Sequence, residues 1–353
     1  NQQSLVTITP MTAVYGKTMR KQIYIAYTGG TIGMRPSSQG YVPAAGFLAK
    51  TLASMPEFHR PEMPQFTLRE YDELMDSSDM SPADWQFIAD DIAANYHKFD
   101  GFIILHGTDT MAYTASALSF MLQGLSKPVI VTGSQIPLAE LRSDGQVNLL
   151  NALYIAANFP IAEVSLFFNN KLFRGNRSRK VDADGFDAFD SPNFPPLLEA
   201  GINIRVKAGK IAEPDNTELK VSKVTAQPIG LVSLYPGISP MVIENTLQQP
   251  VNALILLSYG VGNAPQNKQL LTQLETAAAR EIVVVNCTQC FKGRVNMGGY
   301  KTGHGLSQAG VVSGFDMTPE ATLAKLHYLL SQSLSFDELK GQLGQSLQGE
   351  LSN

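Results

Sequence analysis

Long apolar runs are missing from this sequence: no segment approaches the ~18 uninterrupted apolar residues that a membrane-spanning helix needs, so the chain does not read as a membrane protein. Cysteine is nearly absent. Cys287 and Cys290 are the two in 353 residues, too few for a disulfide framework or a four-thiolate zinc site. Neither sign of charge dominates, since 27 Lys and Arg against 31 Asp and Glu leave a net −4. No global basic field attracts nucleic acid. The five histidines, at 59, 97, 106, 304 and 327, show neither H-x-H nor H-E-x-x-H spacing, which removes the case for a histidine metal site. The run from Asp182 to Asp187 fails as a calcium loop: its glycine comes too early, and Asn193 stands where the closing glutamate belongs. The phosphate loop G-x-x-x-x-G-K-[ST], the dinucleotide fingerprint G-x-G-x-x-G and the G-x-S-x-G elbow are all lacking. Residues 1–20 carry no apolar core followed by a small-residue cleavage site, so they do not read as a secretory signal.

What is present is an ordinary globular composition, 44% hydrophobic and 16% charged, in a chain long enough for about two domains. Apolar runs bounded by Gly, Pro or Asp alternate with stretches of helical period, the pattern of a parallel α/β sheet. QIYIAY, FTLREY, GFIILH, KPVIVTG and EVSLFF are expected strands of the first half, and PIGLVSLY, VNALILLS and EIVVVN of the second. Ser81-Pro82-Ala83-Asp84 and Thr318-Pro319-Glu320 read as helix starts, with a capping residue followed by proline in the first turn. From Asp190 to Pro228 prolines interrupt the rhythm. The expected division is an extension or added leader over 1–20, a larger mostly parallel catalytic domain over 21–210, a linker over 211–228 and a smaller α/β domain over 229–353. The C-x-x-C pair ends a strand with no helix evident after it, which favours buried thiols in a reducing cytoplasm over a redox pair.

In a parallel sheet, ligands gather where the carboxyl ends of strands open into loops. Four such loops are rich in hydroxyls: TGGTIGM from Thr28, the stretch from Met75 to Met80, Gly107-Thr108-Asp109-Thr110, and Gly133-Ser134-Gln135-Ile136-Pro137. Threonine is a weak nucleophile that needs a base or cation beside it. Lys180, closing the basic run from Arg174, is one candidate, against the plainer reading of a solvated basic hairpin. Asp109 either binds a substrate ammonium group or caps the helix that begins after it.

TGGTIG, DSSDM, HGTDTM and RSRK, followed in order by SYGVGNAP and NMGGY, resemble the bacterial asparaginase family, most closely its type I cytoplasmic members. The resemblance implies hydrolysis of L-asparagine to L-aspartate and ammonia without a cofactor, and without nucleic-acid or membrane partners. Carried onto this chain it implies Thr31 as nucleophile, Tyr41 supporting its deprotonation, and MRPSSQG between them as a lid. Thr108, Asp109 and Lys180 form a second catalytic set, with Asp109 on the substrate ammonium. Asp76, Ser77, Ser78 and Ser134 contact substrate, Ser77 at its carboxylate, and backbone N–H groups near Thr108 and Ser134 supply an oxyanion hole. Ser78 stands where the family often has glutamine. The resemblance further implies a homotetramer, a dimer of close dimers in which Asn263 of a neighbour completes each site, and a candidate effector site at Thr288 and Cys290. Two other readings stay open: an amidase subunit of a tRNA-dependent amidotransferase, and a non-catalytic binder of amino acids or nucleotides on the same fold.

Overall fold

The computed structural model describes residues 20–38, 40–159, 161–207, 218–299 and 301–352, without the side chains of 301 and 302. The chain divides into two compact units at Val221 and Ser222. Of the expected leader, all but Arg20 lies outside the described residues, as do 211–217 of the expected linker. Lys220 and Val221 pair with Leu122 and Gln123 of the first unit.

Eight strands form the first unit's sheet: β1 (Gln22–Tyr27), β2 (Gln65–Glu70), β3 (Gly101–Leu105), β4 (Val129–Thr132), β5 (Val164–Phe168), β6 (Lys171–Arg174), β7 (Leu198–Ala200) and β8 (Ile204–Val206). Their spatial order is β8-β7-β6-β5-β4-β3-β1-β2. The stretch from β2 to β5 is parallel throughout, while β6, β7 and β8 return antiparallel. β1, β3, β4 and β5 are almost wholly buried, which explains their continuous Ile, Val, Leu and Phe content, since a parallel strand covered on both faces has no polar side. β2, at the edge, alternates exposed and half-buried residues. The strands expected from the sequence are found within about two residues, and the proline-broken segment after Asp190 adds β7 and β8 to the sheet edge.

Helices α1 (Phe47–Ser54), α2 (Pro82–Asn95), α3 (Met111–Met121) and α4 (Gly145–Asn158) complete this unit. α2 starts as its sequence predicts: Ser81 and Asp84 form a reciprocal capping box with Pro82 in the first turn, and Trp85, Ile88, Ala89 and Ile92 make its buried face. Read along the parallel strands the order is 2-1-3-4-5, so chain direction across the sheet reverses between β1 and β3. Loops leaving the carboxyl ends of two such neighbours diverge and leave a crevice.

The second unit holds a parallel sheet of β9 (Ile229–Ser233), β10 (Ala253–Ser258), β11 (Val283–Thr288) and β12 (Val312–Ser313) in that order. Helices α5 (Pro240–Gln248), α6 (Lys268–Ala279), α7 (Lys301–Gln308), α8 (Pro319–Leu330) and α9 (Phe336–Leu343) accompany it. Thr318 caps α8 by accepting from Ala321 N–H. Lys325 of α8 and Glu350 are fully buried and paired at 2.6 Å, and the ammonium also donates to the carbonyls of Leu343 and Gln345. Glu350 accepts from the N–H groups of Leu347 and Gln348. The pair thus fastens the C-terminal segment to α8. Breaking a buried ion pair strands a charge, at a cost of about 3–5 kcal/mol. Lys325→Met is expected to lower the urea midpoint of the second unit strongly, and the double change Lys325→Met with Glu350→Gln to recover part of the loss; equal midpoints for wild type and Lys325→Met would contradict this.

Candidate active site

Thr28, the residue after β1, is buried, and its N–H and hydroxyl both donate to Leu105 O, at 3.0 and 2.9 Å. It is a structural threonine that ties the first loop to the end of β3. Gly29 and Gly30 follow with φ of 136° and 89°, backbone that L side chains rarely adopt. A Cβ on Gly29 would fall less than 3 Å from the backbone of Met75, and one on Gly30 less than 3 Å from the backbone of His106 and Gly107. The glycines therefore let the loop after β1 lie directly on the loops after β2 and β3. Tyr27 lies beneath, its hydroxyl donating to Gly30 O at 3.0 Å, and burial raises its pKa above the usual phenol range.

Thr31 opens a short 3₁₀ turn through Gly33, half-buried. The next residues form an antiparallel hairpin, Met34–Ser37 with Gly40–Pro43, in which Tyr41 faces Pro36 and is 46% exposed. Thr31 and Tyr41 are not hydrogen-bonded to each other among the described residues. Asp76 caps the turn Ser77–Asp79: its carboxylate accepts from Ser78 N–H at 2.9 Å and from the Ser78 hydroxyl at 2.8 Å. These bonds, the backbone one foremost, hold the Asp76 pKa below the ordinary carboxylate range. Ser77 is buried under Gly107, and Thr110 donates to its carbonyl at 2.6 Å.

The second threonine is held by two groups, a lysine and a glutamine. Lys180 Nζ donates to Thr108 Oγ1 at 2.9 Å and to Asp109 at 2.8 Å, and the Thr108 hydroxyl donates to Gln135 Oε1 at 3.0 Å. Gln135 Nε2 donates to Gly185 O at 2.9 Å, which orients the amide so that its oxygen faces Thr108. The basic run is therefore not a solvated hairpin at its end: a turn at Gly175–Arg177 leads into the pairing of Lys180 with Phe189, and the Lys180 side chain is 20% exposed. Asp109 does not occupy the helix cap, a position held by Thr110; its carboxylate meets the lysine. Ser134 is buried and its hydroxyl donates within its own loop to Ile136 O at 2.6 Å, which commits its hydrogen there. Asp144 anchors the loop by accepting from the N–H groups of Gln135 and Ile136, and burial raises its pKa.

Behind Thr108 lies a chain of buried donors. Trp85 Nε1 donates to Thr114 Oγ1 at 3.2 Å, Thr114 stands 2.8 Å from His106 Nε2, and His106 Nδ1 stands 2.7 Å from Gly107 O. A carbonyl only accepts, so Nδ1 carries the proton, and Nε2 accepts from the Thr114 hydroxyl. Burial pushes the His106 pKa down to about 4.

In the second unit, Asn263 closes a turn by exchanging backbone hydrogen bonds with Tyr259, at 2.9 and 2.8 Å. Thr288 ends β11, donating to Gly260 O and accepting from Cys290 N–H at 3.0 Å. Cys287 is buried but Cys290 is exposed, which corrects the expectation of two buried thiols, and no disulfide joins them. Sequence reading passed over Gln135 as a site residue and weighed His106 only as a metal ligand; the position of Gln135 within TGSQIP, at a strand's carboxyl end, was the available signal.

A lysine hydrogen-bonded both to a threonine hydroxyl and to a carboxylate, with a second threonine loop packed against them at the carboxyl edge of a parallel sheet, is the kind of site that a hydrolytic enzyme of α/β architecture uses. The chain belongs to the asparaginase family: residues 22–212 match the model described as Asparaginase, N-terminal, and residues 228–343 the Glutaminase/Asparaginase C-terminal domain. It is 67% identical to L-asparaginase 1 of Escherichia coli K12, over 94% of this chain and 98% of that protein. A mouse protein named 60 kDa lysophospholipase is 42% identical over 94% of this chain, which spans 63% of it. The crystal structure of L-asparaginase I from Vibrio cholerae matches with a TM-score of 0.90 at 69% identity, covering 95% of this chain and all of that one.

The buried histidine sets an acid limit on stability. The unfolded chain takes up a proton on His106 near pH 6.5, while the folded chain keeps it neutral down to about 4. Between those values the unfolded state binds more protons, so stability rises with pH across the window and is lost as pH falls, by about 3 kcal/mol in full. Urea midpoints from pH 7 to 4.5 are expected to fall less steeply in His106→Asn than in wild type; parallel curves would contradict the assignment.

Proposed function

We propose that this chain hydrolyses L-asparagine to L-aspartate and ammonia through an acyl-enzyme, with weak action on glutamine. The observation that carries the reading is the hydrogen-bonded set of Lys180, Thr108 and Asp109 beside the threonine turn opened by Thr31. In the first half of the reaction, Thr31 Oγ attacks the side-chain amide carbon, with Tyr41 assisting loss of its proton. A tetrahedral oxyanion forms and collapses, the C–N bond breaks, and ammonia leaves with the proton. Water polarised by Thr108 then attacks the ester and releases aspartate and Thr31. Lys180 donates to the Thr108 oxygen and sets the polarity of its hydroxyl. Asp109, whose side chain is 64% exposed, receives the substrate ammonium. Ser77 reads the substrate carboxylate. Asp76 shapes that turn, with the Ser78 hydroxyl committed to it. The hairpin carrying Tyr41 acts as the cover that excludes water.

These groups suit a small zwitterion, with an ammonium for Asp109 and a carboxylate for Ser77, rather than an acyl chain. No helix among the described residues is long and apolar enough to cross a membrane, and the reading includes a cytoplasmic location. It also includes a homotetramer in which a neighbour's Asn263 completes the site. Leu231, Tyr235 and Met241, exposed on and after edge strand β9, offer apolar surface for such an assembly. Thr288 and Cys290 belong to an effector site in the same reading.

Purified protein is expected to release ammonia from asparagine and more slowly from glutamine; release from neither would end the reading. Thr31→Ala and Thr108→Val are each expected to lower kcat by roughly a thousandfold or more, as for members of one catalytic unit. Wild-type turnover in both variants would refute the assigned roles. A sedimentation mass of one chain with full activity would refute the shared site.

A further inference from the structure

The proposed chemistry uses Thr108 but leaves the chain of buried groups behind it without a task. That chain runs in one direction. Trp85 Nε1–H donates to Thr114 Oγ1, the Thr114 hydroxyl donates to His106 Nε2, and His106 Nδ1–H donates to Gly107 O. Each hydrogen has one place to go, because indole N–H and carbonyl O at the two ends cannot exchange roles.

The carbonyl at its end belongs to the peptide that also carries the Thr108 N–H. No peptide among the described residues is cis, so in this planar unit the C=O and N–H point in opposite directions. Fixing the Gly107 carbonyl on the histidine therefore fixes the direction of the Thr108 N–H. That N–H has no acceptor among the described residues, whereas Thr28 N–H and His106 N–H beside it are taken by Leu105 O and Thr132 O. The same peptide is gripped on its other sides: Gly30 packs on the Gly107 backbone, and Ser77 Oγ fills the space a Gly107 side chain would need.

We propose that His106 is a positioning residue for the hydrolysis: its Nδ1–H holds the Gly107 carbonyl and so aims the Thr108 N–H at the oxyanion of the tetrahedral intermediate. Trp85 and Thr114 serve it by holding the imidazole in the tautomer that donates from Nδ1. The inference rests on the amidohydrolase reading above. It deepens that reading by giving the oxyanion donor a mechanical support, since such donors act through preorganisation, set before charge develops.

The test compares two variants. His106→Leu keeps apolar volume and removes the donor; His106→Asn keeps an amide N–H near the place of Nδ1. Loss of a complete oxyanion donor costs about 10²–10³ in kcat, so a misaimed one is expected to cost His106→Leu roughly tenfold to a hundredfold in kcat, with KM within about threefold. His106→Asn is expected to recover most of that loss. Wild-type kcat in folded His106→Leu, or no recovery in His106→Asn, would overturn the proposal. Should His106→Leu fail to fold, ¹⁵N NMR of histidine-labelled wild type decides: a neutral ring protonated at Nδ1 at pH 7 supports the proposal, and one protonated at Nε2, or an imidazolium, overturns it. Absence of ammonia release by wild type would instead end the hydrolase reading, while the NMR would still report the ring.

Discussion

The site depends on one steric constraint, the contact of backbone with backbone where the loop after β1 crosses the loop after β3. Gly30 lies on the amide of Gly107, and Gly29 lies on the carbonyl of Met75. A methyl group at either position would drive the loops apart, and the positive φ of both residues adds strain for any other side chain. Because chain direction across the sheet reverses between β1 and β3, this is the place where the fold would otherwise open an empty crevice. The glycines let the loops that flank it meet backbone to backbone. Thr31, Ser77 and Thr108 sit on the three loops brought together by that approach.

Above this contact the polar groups are arranged so that few hydrogens have a choice. Lys180 donates to Thr108, Thr108 to Gln135, and Gln135 to Gly185. On the buried side, Trp85, Thr114 and His106 pass donors inward to Gly107. Networks of this kind are costly if any member is unsatisfied, because an unpaired polar group in a low-dielectric interior forfeits its solvation. When complete they hold dipoles still. A reaction that passes through a short-lived oxyanion gains from dipoles that need not reorganise.

The second unit follows a simpler rule. Its four parallel strands run in chain order, with no reversal and hence no crevice of the first kind. Its internal ion pair, Lys325 with Glu350, binds the C-terminal segment back onto α8. Asn263, proposed above to complete a neighbour's site, closes a turn of paired backbone groups in this unit.

Much of the fold was legible in the sequence. The buried parallel strands announce themselves as unbroken Ile, Val and Leu runs, and Ser81-Pro82 and Thr318-Pro319 mark helix starts by local capping chemistry. Local rules act over a few residues, so one chain read in order is enough to find them. The motifs TGGTIG and HGTDTM likewise pointed to the family. Three things were decided by tertiary structure. The glycines of the first loop meet other backbone, Ser134 turns its hydroxyl into its own loop, and Asp109 gives its carboxylate to Lys180, 71 residues away in the chain, leaving the helix cap to Thr110. Each outcome depends on which distant group arrives at a distance near 3 Å. That is set by strand order and crossover, to which composition and local spacing are blind. The part played by Gln135 and His106 belongs to the same class: a glutamine or a buried histidine has no periodicity to betray it, and its meaning lies in the atoms that the fold places at its two ends.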